Sequence, residues 1–108
     1  MAELAPFLFF RPWRRPFGNP MGAETELRRE LGPQHILYGR SFRAVGVTGE
    51  SDDWLFELDD GTFAQVHLTW TRKPPETNAN CPRTRIFGTL DEWVIAVMLP
   101  DHVDRFGL

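Results

Sequence analysis

The sequence predicts an α+β domain in which a three- to four-stranded antiparallel meander carries two helices packed on one face. Three observations lead to this fold class. A hairpin pattern runs over residues 52–70, apolar residues recur at helical spacing in two other segments, and the turns between the predicted strands are short. Because a parallel crossover needs a dozen or more residues, short turns favour antiparallel pairing.

The turn of the predicted hairpin, at residues 59–61, decides which side chains share a face of the sheet. A two-residue loop would mix apolar and polar side chains on both faces. A three-residue loop pairs Leu58 with Thr62 and leaves one face wholly apolar. That face carries Trp54, Phe56, Leu58, Ala64, Val66, Leu68 and Trp70. Since a shift of one residue moves every side chain to the opposite face, the pattern favours the three-residue loop. The other face is then mixed, and on it Asp53 lies directly opposite His67.

Before the hairpin, the pattern predicts one helix and one strand. Residues 24–31 have acidic residues in the first turn and leucines four apart, and Gly32 with Pro33 ends the predicted helix. Residues 41–47 alternate as a strand does, and Gly46 within them allows a bulge or the close approach of another segment. With the hairpin, this strand makes a meander of three.

After the hairpin, residues 71–82 have the composition of a loop, and residues 83–87 form a brief extended piece. Thr89 and the glutamate three residues later make a capping box, which opens a helix at residues 89–99. We expect Pro100 to end this helix. The helix supplies the layer that the apolar sheet face requires, because a sheet must bury that face.

Residues 1–23 differ in composition from residues 24–108, which we assign to a single α+β domain. Four prolines among the first twenty residues exclude a continuous helix there. The segment is also rich in aromatic residues, namely Phe7, Phe9, Phe10, Trp13 and Phe17. It is either a flexible arm or an arginine- and aromatic-rich segment that docks on a partner chain or on the domain itself.

Composition restricts the compartment and the classes of partner. The chain has 108 residues and a net charge of −3, which fits one domain and argues against nucleic-acid binding. No apolar run approaches the roughly 20 residues of a membrane helix, so no membrane partner is expected. The single cysteine, Cys81, excludes an internal disulfide, and the three histidines match no ligand spacing, so we predict no metal and no cofactor. Without a disulfide framework, a cytoplasmic location is favoured.

Asp53 and His67 are the candidate catalytic residues. A carboxylate that orients an imidazole can support general acid–base catalysis. The alternative is an ordinary cross-strand pair on a solvated face, worth a few tenths of a kcal/mol to roughly 1 kcal/mol. Tyr38, Gln65 and Arg83 are the candidate ligand-binding residues: Tyr38 as a stacking ring, Gln65 as a neighbour of the pair, and Arg83 as part of a basic loop.

Three motifs make the chain similar to an uncharacterised group of small bacterial proteins. They are HILYG at residues 35–39, the run at residues 52–70 that ends in VHLTW, and PRT at residues 82–84. The resemblance covers about residues 24–102. The group usually has Trp where this chain has Cys81, and Pro where it has Ile36. Because no activity is established for the group, the resemblance implies a bacterial origin and assigns no catalytic role.

The sequence favours a small cytoplasmic binding or interaction module whose partner is another protein or a second copy of the chain. The alternative is a small enzyme that uses Asp53 and His67 as an acid–base pair on the exposed sheet face. Its pocket would be walled by Tyr38, Phe63 and Arg83. An open, flat sheet face would exclude the enzyme, whereas a concave pocket that closes over His67 and perturbs its imidazole would weaken the case for a binding module.

Overall fold

The computed structural model describes residues 8–16, 21–49, 51–70 and 81–107. Within these residues the chain forms a five-stranded antiparallel sheet in the order β1-β2-β3-β4-β5. The strands are β1 (Trp13–Arg14), β2 (Phe42–Thr48), β3 (Asp53–Leu58), β4 (Phe63–His67) and β5 (Thr84–Phe87). The α+β class is confirmed, but the sheet has five strands rather than three or four. The additional strand is β1, which is too short to produce an alternation signal.

Two helical regions accompany the sheet. Helix α1 spans Met21–Glu30. The C-terminal helix, residues 90–106, consists of α2 (Leu90–Trp93), a π-helical segment (Val94–Met98) and α3 (Leu99–Phe106). Among the described residues, neither region is both long and apolar enough to span a lipid bilayer.

Pro100 does not end the C-terminal helix, so that expectation is wrong. In a regular α-helix the proline ring clashes with the carbonyl group four residues earlier. Here the preceding turn is widened, because the Leu99 N–H donates to the Val94 carbonyl five residues back. The wider π-helical turn accommodates the ring, and the helix continues to Phe106 before Gly107, with φ +70°, stops it.

The three-residue register of the hairpin is confirmed. Asp53 pairs with His67 and Phe56 with Ala64. The Leu58 N–H donates to the Thr62 carbonyl at 2.8 Å, and Gly61 has φ +85°, a conformation that glycine adopts without a steric penalty. The register therefore places Asp53 and His67 side by side, as the alternation of the sequence predicts.

The two helical regions lie on opposite faces of the sheet, which differs from the predicted packing on one face. The first core contains Ala23, Leu27, Leu31, Leu37, Phe42, Ala44, Phe56, Leu58, Ala64, Val66 and Leu68. The second core contains Trp13, Val45, Leu55, Phe63, Phe87, Trp93, Val97 and Met98. Because neighbouring strand residues such as Leu55 and Phe56 point to opposite faces, the apolar part of the mixed face forms a second buried surface, while its end at His67 stays partly exposed. Its apolar side chains are covered by the C-terminal helix.

Residues 8–16 dock on the domain itself, which is one of the two interpretations of the aromatic segment. Trp13 is only 1% exposed and packs edge-to-face on Trp93, with ring centroids 4.9 Å apart. Its indole N–H donates to the Asp101 carboxylate at 2.8 Å. The remainder of residues 1–23 that precedes α1 lies outside the described residues, and the division of the chain at residue 24 stays a prediction.

Gly46 allows both the bulge and the close approach that its position predicts. The register of β2 shifts between Ala44 and Gly46, and a Cβ added at Gly46 would lie 2.8 Å from the ring of Phe9. We expect Gly46→Ala to destabilise the protein by about 1–3 kcal/mol, because the Phe9 ring must move. Gly49→Ala is the matched control, since nothing lies within 4 Å of its added Cβ. Equal urea midpoints for the two variants would show that Phe9 does not rest on Gly46.

Candidate functional site

A cleft of about 620 Å³ opens beside His67, where β3, β4 and β5 meet the loop that follows α1. It is lined by His35, Ile36, Asp53, Gln65, His67, Pro82, Arg83, Thr84 and Arg85. The sheet face at His67 is therefore concave, so the flat surface that would exclude an enzyme is absent at this point.

Asp53 and His67 form a hydrogen-bonded pair in the cleft. The imidazole Nδ1 lies 2.9 Å from Asp53 Oδ1, and the Ser51 hydroxyl donates to the other carboxylate oxygen at 3.0 Å. A carboxylate only accepts hydrogen bonds, so Nδ1 carries the hydrogen. Nε2 makes no hydrogen bond within the described residues, and the His67 side chain is 39% exposed. The ring thus holds a fixed tautomer and keeps one nitrogen available to a ligand.

Gln65 contributes hydrogen-bond donors to the cleft. The Trp93 indole N–H donates to Gln65 Oε1 at 2.9 Å. Because an indole nitrogen can only donate, this contact identifies the amide oxygen and fixes the orientation of the amide group. The oxygen is occupied by Trp93, and the NH₂ group remains for a ligand.

Arg83 and Arg85 bring positive charge to the same face. The His67 N–H donates to the Arg83 carbonyl at 3.0 Å, and Arg85 pairs in register with Gln65. Residues that lie opposite each other on neighbouring strands share a face of the sheet. Within the described residues neither guanidinium group pairs with a carboxylate, and that of Arg85 lies 5.1 Å from the centre of the Phe87 ring. The lining of the cleft therefore carries two arginines and one carboxylate, that of Asp53.

His35 holds one wall of the cleft in place. Its buried ring accepts a hydrogen bond at Nδ1 from the Leu37 N–H (3.0 Å) and donates from Nε2 to the Pro82 carbonyl (2.9 Å). The Thr84 hydroxyl donates to the same carbonyl at 3.0 Å. Both ring nitrogens are occupied, so His35 ties the start of β5 to the loop after α1 and is a structural residue.

Glu30 secures the chain beyond the end of β4. Its buried carboxyl accepts the N–H groups of Thr69 and Trp70, each at 2.9 Å to Oε2. Burial raises the pKa of Glu30, the hydrogen bond with Glu26 also raises it, and the two backbone donors oppose this shift. The guanidinium of Arg29 lowers the pKa of Glu26. The Glu30 carboxyl group therefore holds the backbone of Thr69 and Trp70 in place, beginning two residues after His67.

The structure brings together four of the five predicted site residues. Asp53, Gln65, His67 and Arg83 line one cleft, whereas Tyr38 is 55% exposed and does not line it. Phe63, predicted as a wall, is buried in the second core. The lining residues that sequence reasoning missed are His35, Ile36, Pro82 and Thr84, whereas Arg85 belongs to the same predicted basic loop as Arg83. The alternation Arg-Thr-Arg at residues 83–85 indicates that both arginines lie on one face of a strand. No pattern in the sequence predicts the contact between His35 and Pro82.

A scan of the chain against protein-family models finds no match, and searches of curated proteins and of solved structures find none either. The structure itself is that of a small α+β domain with a polar cleft on one face of its sheet.

Proposed function

We propose that this protein is a small cytoplasmic binding module whose ligand occupies the cleft at His67. The cleft itself carries the proposal, because its volume of about 620 Å³ falls within the range of roughly 300–1,000 Å³ typical of ligand sites. Polar groups from three strands converge there, beside the apolar side chains of Ile36 and Pro82. The single cysteine supports the cytoplasmic location, and the three shared motifs support a bacterial origin.

The sequence also predicts a protein partner or a second copy of the chain, and the aromatic segment at residues 1–23 would add weight to this if it docked on another chain. The support for that partner is weaker than the support for a small ligand, because residues 8–16 pack on the chain's own second core. A concave, polar site suits a small molecule better than a flat protein surface.

Chemical-shift mapping of the full chain tests the binding function. We expect a mixture of small anionic, neutral and cationic probes to shift the backbone amides of Gln65, His67 and Thr84. His67→Ala should weaken the affinity of a bound probe by about tenfold, the value of one lost hydrogen bond. Tyr38→Ala is the control, because this exposed ring lies outside the cleft. If none of the probes shifts the three amides, the protein is not a binding module of this kind.

A second candidate function is acid–base catalysis, and the 2.9 Å contact between Asp53 and His67 favours it. With Nδ1–H held by the carboxylate, Nε2 can take a proton from a bound substrate, a step that contributes about 10²–10⁴-fold to a rate. Asp53→Asn separates the two functions. An enzyme would lose most of its turnover of a bound compound, whereas a binding module would show no turnover and an almost unchanged affinity.

A further inference from the structure

We infer that the cleft at His67 takes a small molecule that carries a phosphate monoester. This inference rests on the proposed binding function and adds to it the chemical class of the ligand. It follows from the charge of the cleft, from the direction of its hydrogen bonds and from its size.

The charge of the cleft favours an anionic ligand. Arg83 and Arg85 are permanently charged and, within the described residues, neither pairs with a carboxylate. The one acid in the lining, Asp53, accepts hydrogen bonds from His67 and Ser51, so a single negative charge stands against the two arginines. The ring of Phe87 lies against the Arg85 guanidinium, which leaves the in-plane N–H groups of this guanidinium free to donate. Two guanidinium groups on one face match a doubly charged group better than a carboxylate.

The hydrogen-bonding groups of the cleft are mainly donors. The amide oxygen of Gln65 accepts from Trp93, and the NH₂ group of this side chain remains to donate to a ligand. The guanidinium groups of Arg83 and Arg85, which also line the cleft, can only donate. A phosphate group, which has several acceptor oxygens, satisfies this set of donors.

The cleft is large enough for a ligand bigger than a free phosphate ion. Its volume of about 620 Å³ is many times that of one phosphate group. The remaining wall includes the side chains of Ile36 and Pro82, and Ile36 is largely exposed. An organic group attached to the phosphate would cover this apolar wall.

Isothermal titration of the full chain with matched probes tests the inference. We expect phenyl phosphate to bind more tightly than benzoate, and benzoate more tightly than uncharged benzamide, with at least about tenfold between the first and the last. Inorganic phosphate should compete with phenyl phosphate but bind more weakly, because it cannot cover the apolar wall. Added salt should weaken the binding of both phosphates.

Variants identify the residues responsible. Arg83→Gln and Arg85→Gln should each weaken phenyl phosphate binding by about tenfold. Gln65→Glu should weaken it at least as much, because the new carboxylate still accepts from Trp93 but repels an anion. Arg28→Gln is the matched control: it removes one positive charge on the exposed side of α1, beside Phe42 of the first core, and should leave the affinity unchanged. Urea midpoints of all variants verify that each is folded.

The outcomes separate the two proposals. If benzamide binds as tightly as phenyl phosphate and shifts the same cleft amides, the phosphate inference is overturned and the binding module stands. If the arginine variants bind phenyl phosphate as the unmodified chain does, the inference is likewise overturned. If no probe of any charge shifts the amides of Gln65, His67 and Thr84, the proposed function fails as well.

Discussion

Replacing Trp13 with alanine is expected to destabilise the protein by about 3–5 kcal/mol, the usual cost of removing a large buried ring. Trp13 is almost completely buried, packs on Trp93 and donates a hydrogen bond to Asp101. The substitution leaves a cavity in the second core and an Asp101 carboxylate without its indole partner. Urea unfolding, followed by circular dichroism, measures the change in the free energy of unfolding. A loss of this size is a large fraction of the stability of a small domain.

Two further variants show which part of the Trp13 contact matters. Trp13→Phe keeps an aromatic ring against Trp93 but removes the N–H donor, so its stability should lie between those of the wild type and Trp13→Ala. Leu8→Ala removes a side chain that is 76% exposed in the same segment and should change the stability by no more than about 0.5 kcal/mol. If Trp13→Ala were as mild as Leu8→Ala, residues 8–16 would not be part of the folded domain.

Replacing Glu30 with alanine is expected to cost about 2–3 kcal/mol, because the N–H groups of Thr69 and Trp70 lose their acceptor. Glu30→Gln keeps one acceptor oxygen and should cost less. Both variants should also shift the amide signal of His67, since the anchored chain begins two residues after it. Urea unfolding measures the first effect and NMR spectra the second. Asp104→Ala, on the exposed surface of α3, is the control for loss of an acid outside this contact.

The pH dependence of the Glu30 variants has a defined sign. The pKa of Glu30 is raised in the folded state by burial, so its contribution to stability is fully present below the ordinary value of 4.5 and is lost as the pH rises through the raised value. The hydrogen bond with Arg29 lowers the pKa of Glu26. The stability that Glu26 contributes is therefore lost as the pH falls below 4.5. The advantage of the wild type over Glu30→Gln should therefore shrink as the pH rises above 4.5. An advantage that grew with pH would show that the Glu30 carboxyl is not held in a buried setting.

The hairpin could be predicted because the residues that determine its register lie close together in the sequence. A period of two over Trp54, Phe56 and Leu58, continued by Ala64 and Val66, is satisfied by one register only, and that register also fixes the Asp53–His67 pair. The same pattern predicts Trp70 on this apolar face, but Trp70 is half exposed. The chain leaves the strand before it, and Trp70 adopts a positive φ of 56°.

The remaining features depend on contacts that sequence spacing does not reveal. Leu55 and Phe63 have polar neighbours on their face, so the alternation pattern alone predicts a solvated surface. Their burial depends on the C-terminal helix, which crosses to that face and holds Gln65 through Trp93. In the same way, the wall of the cleft depends on a hydrogen bond from His35 to a residue 47 positions away. Sequence reasoning thus finds the centre of the candidate site but misses much of its lining.

The two cores are formed by different stretches of the chain. This difference determines the order in which they can form during synthesis. The described members of the first core lie between residues 23 and 68, so this core can form as soon as β4 has left the ribosome. The second core requires contacts such as that between Trp13 and Asp101, across 88 residues. Because a long loop costs entropy before its contacts form, we expect the second core to close last. Until the C-terminal helix has been translated, Leu55 and Phe63 present an uncovered apolar patch of the kind that makes nascent chains depend on chaperones.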